Sequence, residues 1–566
     1  MTPMSTRFGV LAAVFRSEIL RRLELAYLVF AIGEWSTWVA VIVYAYGRGG
    51  AGEAGLVVFV ELAPSVLLAP AVASLGDRYA RDRVLLGTYA AQSALMAATA
   101  FALATGAHPL AIYAFATATA TTVALSRPIH AALMPEVVGS PDDLTAANVV
   151  TGMAESAGAL IGPLGAGLLI GLGGPAAVFA VAALGNTAGS LAVLRVARSR
   201  FRSGAPGAVV PGRDPRGVVA AEPSRGWRAT ATEMTGGLRA ILADPRLRAV
   251  VIIATWATLL VGAMDILYAV LAIELMGLGG GGVGYVGALG GVGAIIGSIA
   301  GLMLVGRERL GVALAASAVL FGAAIAAIAI VTGSGAAAIL LVLGGAGSGL
   351  TYVGAQTLIQ RLAGDDVMSR VFGVLQGLMM GATALGALAV PIVIAVFGNR
   401  AAFAIAGMSL PVVLVLVGRA IVRGDRLDPG RAAELRLLRG VAMLSPLSAP
   451  VLERLAAGVT HRTHAAGSTV IREGDRGDRF YVVETGVLEV SVRGRLVRRL
   501  EPGEGFGEIA LIRDVPRTAT VTAINDVSLV GIDARPFVVA LGGQPRSRTV
   551  ADGLVEDRLA ADATVG

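Results

Sequence analysis

From Leu25 to near Arg423 the chain repeats apolar runs of roughly 20 residues, each long enough as a helix to cross a hydrocarbon core of ~30 Å. Lipid offers a backbone no hydrogen-bond partners, so such runs must satisfy their own N–H and C=O groups as helices. The composition agrees: 55% of the 566 residues are hydrophobic and 15% are charged, with a mean hydropathy of +0.75. The chain reads as a polytopic membrane protein. Its first run is longer than a signal core, carries Glu34 and is followed by further spans, so a cleavable signal is not expected.

About twelve spans are predicted, starting near Leu25, Leu56, Val84, Leu110, Ala147, Ala176, Ala249, Val283, Leu310, Ala336, Val371 and Ala401. With the N-terminus inside, the inner loops hold Arg16, Arg21, Arg22, Arg195, Arg198, Arg361, Arg370, Arg419 and Arg423 among others. The outer loops hold little beyond Arg48 and Arg400. Positive charge retained inside predicts cytoplasmic N- and C-termini in a bacterial inner membrane. The longest inner loop, about 195–248, divides the spans six plus six, and its later part, Trp227 to Ala243, has the makings of an amphipathic helix.

The same charge asymmetry explains the net charge of +7 and the pI near 10.1 without nucleic acid as a partner. All 46 basic side chains are arginine; without lysine the chain has no Gly-Lys-Ser/Thr phosphate loop and no ATPase of its own. The absence of cysteine excludes disulfides, thiol catalysis and Cys-ligated metal. Neither a catalytic nor a metal site is predicted.

After residue 423 the composition changes. Residues 424–443 are predicted as a linker with helical spacing through Leu435, Leu438 and Val441. Beyond them short alternating segments, Phe480 to Val483, Val487 to Val492 and Leu496 to Leu500, are bounded by glycine or charged turns and predict antiparallel strands. The expected division is a membrane body at 1–423 and a soluble β-rich domain at 444–566.

The segment Ala73-Ser-Leu-Gly-Asp77-Arg78-Tyr-Ala-Arg81-Asp-Arg83 resembles the signature loop of the major facilitator superfamily, with Ala73 where the family often has glycine. The resemblance implies a twelve-helix, six-plus-six transporter whose cytoplasmic gate is formed by Asp77, Arg78, Arg81 and Arg83. An acidic residue at a helix end attracts basic partners, and breaking those contacts lets one half rock. Gly158-Ala-Leu-Ile-Gly162-Pro163-Leu-Gly165-Ala-Gly167 looks like a degenerate form of the Gly-Pro motif of exporters in this superfamily. Glycines at 293, 297 and 301 recur every fourth residue, a helix-packing face.

Ionisable groups inside spans are costly and mark pathways. Glu34, Glu155 and Asp265 fall near mid-depth, while Glu61, Arg127 and His130 fall nearer the ends of their spans. Glu34 and Asp265 are expected to take up and release protons as access alternates, with Glu155 or Arg127 modulating them. The structural alternative is that each of them caps a helix or forms a buried pair. His130 is expected to be interfacial.

Gly503-Glu-Gly-Phe506-Gly507-Glu508-Ile509-Ala510-Leu511, followed by Pro516-Arg517-Thr518-Ala519, closely resembles the phosphate-binding cassette of cyclic nucleotide-binding domains. The order of Gly467, Gly474, Gly477, Phe480 and Gly486 extends that similarity over about 444–540. The resemblance implies a β-jelly-roll that binds cyclic AMP or cyclic GMP. Backbone donors of Gly507, Ile509 and Ala510 at a helix start receive the anion. Arg517 grips the exocyclic oxygens bidentately, Glu508 accepts from the ribose 2′-hydroxyl, and Thr518 adds a hydroxyl near the phosphate or purine. A tail helix from about Ser547 to Ala561 is expected to close over the base. The tail is too short for a helix-turn-helix, and neither an Arg-rich sensor nor a pore filter of a gated channel is visible.

The sequence therefore predicts a proton-coupled exporter of a small molecule, regulated by cytoplasmic cyclic nucleotide, cyclic AMP foremost. The competing class is a membrane receptor or scaffold that senses nucleotide without moving solute.

Overall fold

The computed structural model describes residues 17–78, 80–138, 141–202, 227–304, 310–363, 367–424, 429–447, 451–452, 455–456, 458–542 and 545–564. Its contacts divide the chain into two compact units that meet in sequence at Val422 and Arg423.

The first unit is all helix: α1 (Glu18–Arg78), α2 (Arg81–Ala104), α3 (Pro109–Val137), α4 (Pro141–Arg202), α5 (Trp227–Ala243), α6 (Pro245–Ala269), α7 (Gly279–Leu304), α8 (Leu310–Ala327), α9 (Ser334–Leu362), α10 (Met368–Phe397) and α11 (Asn399–Gly424). Among the described residues ten helices are long and apolar enough to cross a membrane. The expectation of twelve separate spans is corrected on this point. The runs starting near Leu25 and Leu56 are two helices joined directly at a kink at Gly49 and Gly50, and those starting near Ala147 and Ala176 are two helices joined in the same way at Gly173 and Gly174. No loop intervenes, because each break is made by two glycines alone. Gly50 (φ 62°, ψ −155°) and Gly174 (φ 70°, ψ −174°) adopt backbone angles that a Cβ would forbid.

Helix packing uses the small residues. A Cβ built on Gly293 or Gly297 of α7 would collide with the Val342 or Ala346 carbonyl of α9, and Gly345 and Gly349 meet α7 in the same way. The Gly-Pro segment of α4 serves the same end: Gly158 and Gly162 lie against Ala31, Ile32 and Trp35 of α1, where Ser36 donates to the Gly162 carbonyl (2.9 Å). Such close approach substitutes dispersion contacts for the hydrophobic drive that lipid removes. Helix α5 occupies the residues expected of an amphipathic helix; its Ile241 is buried, and Gly237 lies against the Arg370 backbone of α10.

The second unit holds α12 (Pro429–Gly440), eight strands, and α13 (Glu508–Arg513), α14 (Ala534–Gly542) and α15 (Pro545–Thr564). The strands are β1 (Thr460–His464), β2 (Thr469–Ile471), β3 (Arg479–Thr485), β4 (Leu488–Val492), β5 (Arg495–Leu500), β6 (Gly505–Phe506), β7 (Thr520–Ala523) and β8 (Val527–Asp533). They form two four-stranded sheets, ordered β1-β8-β3-β6 and β2-β7-β4-β5. The expected jelly-roll closure is thereby corrected: both sheets are open. At one edge β6 is only two residues long and passes through left-handed Gly507 into α13, so it has no length left to carry the ladder further.

Strand alternation gives the unit two cores. Phe480 and Val482 of β3 pack with Leu435, Leu438 and Val441 and with Phe537, whereas Tyr481 and Val483 point the other way, toward Val490, Leu500 and Phe506. Opposite faces of one strand thus bind the helices and the second sheet. The helix expected as a linker is, through Leu435 and Leu438, part of this core.

Candidate functional site

The soluble unit places the cassette residues together. Gly507 caps α13 in the left-handed region (φ 88°), and a Cβ there would lie 2.6 Å from Arg517 Nη1. Gly507, Glu508, Ile509, Ala510, Arg517 and Thr518 all line one cavity of about 60 Å³. Arg517 is buried, 5% exposed. Its Nη1 donates to the Gly507 carbonyl (2.8 Å), and its Nη2 to the Arg479 carbonyl (2.8 Å) and to Asp478 Oδ1 (3.2 Å). These bonds aim the guanidinium at the start of α13, where backbone donors and the helix dipole favour an anion.

Glu508, 1% exposed, accepts from Arg558 Nη1 of α15 (2.5 Å), and Arg558 also donates to the Gly505 carbonyl (3.0 Å). Among the described residues Glu508 Oε2 is buried without a hydrogen-bond partner. An unpaired buried carboxylate oxygen is expensive and fits a sugar hydroxyl. Sequence reasoning placed a helix over the tail but missed Arg558, since a lone charge in such a segment carries no periodic signal. Outside the cavity, His461 sits 3.0 Å from Glu434 Oε1 and 3.5 Å from Glu484 Oε2. The bond to Glu434, assisted by the nearby carboxylate charges, raises its pKa from the ordinary 6.5.

In the membrane unit three of the four expected pathway residues meet. Arg127 Nη2 of α3 lies 2.9 Å from Glu34 Oε2 of α1 and 3.0 Å from Glu155 Oε2 of α4. The Tyr27 hydroxyl donates to Glu155. One cation thus ties three helices, and it faces two carboxylates. Asp265 of α6 is not in this cluster; it lies beside Trp38 of α1.

Glu34, Trp38, Glu61 and Arg127 border a cavity of about 460 Å³, closed on other sides by Phe179 of α4 and by Gln376 and Met380 of α10. Arg127 and Glu61, expected nearer span ends, therefore face the cavity, and Glu61 is 3% exposed. His130, expected at an interface, is buried at 1%, stacked on Tyr27 (4.1 Å between ring centroids) and 3.8 Å from Glu24. The ring therefore points inward, a rotation that spacing alone did not reveal.

Of the expected gate, Arg81 donates to the Ala132 carbonyl (3.0 Å) and Glu136 Oε1 (2.7 Å), joining α2 to α3. Arg83 is exposed. The side chains of Asp77 and Arg78 lie outside the described residues.

Residues 461–541 match the cyclic nucleotide-binding domain family model. A cAMP-dependent protein kinase regulatory subunit of Yarrowia lipolytica is 39% identical over 107 residues, covering 19% of this chain and 28% of that protein. The corresponding subunit of Eremothecium gossypii is 39% identical over 106 residues, covering 19% and 23%. The chain spans less than a third of the length of these curated relatives. Among solved structures, the regulatory domain of Toxoplasma gondii PKA crystallised with cAMP is 31% identical, covering 20% of this chain and 46% of that one, with a TM-score of 0.20. Residues 23–382, well over half of the chain, match the Major Facilitator Superfamily. The chain therefore belongs to the Major Facilitator Superfamily, a family of membrane transporters and not of enzymes, and carries a cyclic nucleotide-binding domain after its membrane body.

Proposed function

We propose that this protein is a secondary transporter that exports a small molecule in exchange for protons, and that cyclic AMP binding to its cytoplasmic C-terminal domain sets its rate. The observation that carries the transport half is the Glu34–Arg127–Glu155 cluster at the wall of a cavity of about 460 Å³. A single arginine cannot neutralise two carboxylates at once, so a proton on either one lets the guanidinium move wholly to the other. Exchange of that proton then changes which helices are tied together. Asp265, linked to the same cavity through Trp38, is the second proton group of the proposal. Asp77, Arg78, Arg81 and Arg83 form the proposed cytoplasmic gate.

The regulatory half rests on the pocket. Arg517 is buried beside Gly507, and Glu508 keeps a partnerless oxygen. In the proposal the cyclic phosphate bridges Arg517 and the start of α13, the ribose hydroxyl meets Glu508, and Thr518 lies near the purine. Cyclic AMP is the ligand named for the yeast relatives' kinase, and the similarity to them supports it here; cyclic GMP is the competitor. Nucleotide shifts the transport equilibrium only by its preference for one conformer, and a coupling of ~1–3 kcal/mol is usual.

The test is reconstituted flux of a compound panel, driven by a pH gradient, with and without cyclic AMP. Gradient-driven movement of at least one compound, altered by nucleotide in the wild type and unaltered by it in Arg517→Ala, is the expected result. Absence of flux under every condition, with nucleotide binding intact, replaces the transporter by a receptor.

A further inference from the structure

Glu61 is a carboxylate in a largely apolar wall. Ala116, Ala120 and Ala124 of α3, Leu62 and Val41 of α1, and Phe179 supply much of the cavity surface around it. It is 3% exposed, and it makes no hydrogen bond or ion pair among the described residues. A buried ionised carboxylate needs a compensating charge, and a neutral one still needs a partner for its hydroxyl. Arg127 is the cavity's one cationic lining residue among those described, and it is already matched by Glu34 and Glu155. Among the described lining residues no positive charge is left to compensate Glu61, and none is left to attract an anion.

Resting on the reading of this cavity as the solute site, we infer that Glu61 binds the charged group of the transported molecule, which is a lipophilic organic cation. The cavity of about 460 Å³ is within the range that encloses drug-sized molecules. Its apolar walls take the hydrocarbon part, and Trp38 at its border offers an aromatic face that attracts cations. The negative excess of Glu61, Glu34 and Glu155 over Arg127 selects positive over neutral or negative solutes of the same shape.

Two probes of nearly identical shape and opposite charge, tetraphenylphosphonium and tetraphenylborate, provide the test on the purified full-length chain in detergent. Saturable binding of radiolabelled tetraphenylphosphonium is expected, weakened at least tenfold in Glu61→Gln and less in Glu61→Asp, with no saturable binding of tetraphenylborate to the wild type. Equal affinity of wild type and a monodisperse Glu61→Gln for the cation overturns the inference. So does tetraphenylborate binding as tightly as the cation, a comparison that needs no variant. Because binding is read without a gradient, a chain that binds the cation at Glu61 yet moves nothing sinks the transport reading alone. Gradient-driven flux with no role for Glu61 sinks this inference alone.

Discussion

The guanidinium of Arg558 lies 2.5 Å from Glu508 Oε1, so a residue of the last helix holds the carboxylate proposed to receive the ribose. The cavity beside them, about 60 Å³, is well below the ~300–1,000 Å³ of pockets that enclose drug-sized ligands. Arg558 is the lining group that reaches in from α15. In Arg558→Ala, Glu508 loses its cationic partner, and breaking a buried pair is destabilising. Differential scanning fluorimetry should show a lower melting temperature for the soluble unit. Isothermal titration should show cyclic AMP binding at least as tightly as in the wild type. Binding lost altogether would assign Arg558 to the nucleotide contact instead.

Arg517→Ala removes three hydrogen bonds to Gly507, Arg479 and Asp478 together with the proposed phosphate contact. Charge-assisted bonds are worth roughly 1.5–3 kcal/mol each, so nucleotide affinity should fall by about 10- to 160-fold per bond lost to the phosphate. Asp478→Asn serves as the comparison, since it weakens the orientation of Arg517 but leaves its charge. Titration should rank wild type above Asp478→Asn and Asp478→Asn above Arg517→Ala.

In the membrane unit, Glu34→Gln should fold, because Glu155 still pairs with Arg127 at 3.0 Å. Arg127→Ala leaves Glu34 and Glu155 facing each other with no cation between them. Thermal melts in detergent should show a much larger loss for Arg127→Ala than for Glu34→Gln. Under the transport proposal both lose flux driven by a pH gradient; unaltered gradient-driven flux in Glu34→Gln removes Glu34 from the proton path.

Gly297→Val drives a branched side chain into the Ala346 carbonyl of the neighbouring helix, whereas a Cβ on Gly165 meets nothing within 4 Å. The first substitution should separate α7 from α9 and abolish a monodisperse elution profile, and Gly165→Ala should elute as the wild type does. Equal behaviour of the two would remove the close-packing account of the α7–α9 face.

His461 gives the soluble unit a pH dependence of definite sign. Its pKa is raised by the hydrogen bond to Glu434 and by the neighbouring carboxylate charges, so the folded state holds the proton more tightly than the unfolded chain. The stabilisation is fully present below the unfolded value of about 6.5 and is lost as pH rises through the folded value above it. Melting temperature measured upward from pH 6 should decline in this window for the wild type and be flatter for His461→Gln. The side chain is half exposed, so the effect should be small and should shrink with added salt.

The sequence determined the features that local chemistry dictates. Long apolar runs must be helices in lipid, alternation after Gly467 must be strands, and the Gly507-to-Thr518 cassette carries its own spacing. Glycines at 293 and 297 announced a packing face because periodicity survives in one dimension. The tertiary structure decided what depends on rotation and on residues far apart in the chain. It joined spans expected to be separated by loops directly at the Gly50 and Gly174 kinks, and it ended the first sheet at β6, which is two residues long. It turned His130 inward, joined Arg127 to partners 93 and 28 residues away, and brought Arg558 to a carboxylate 50 residues earlier. Depth along a span is readable from a sequence, but the direction in which an isolated charge points is fixed only when neighbouring helices pack around it.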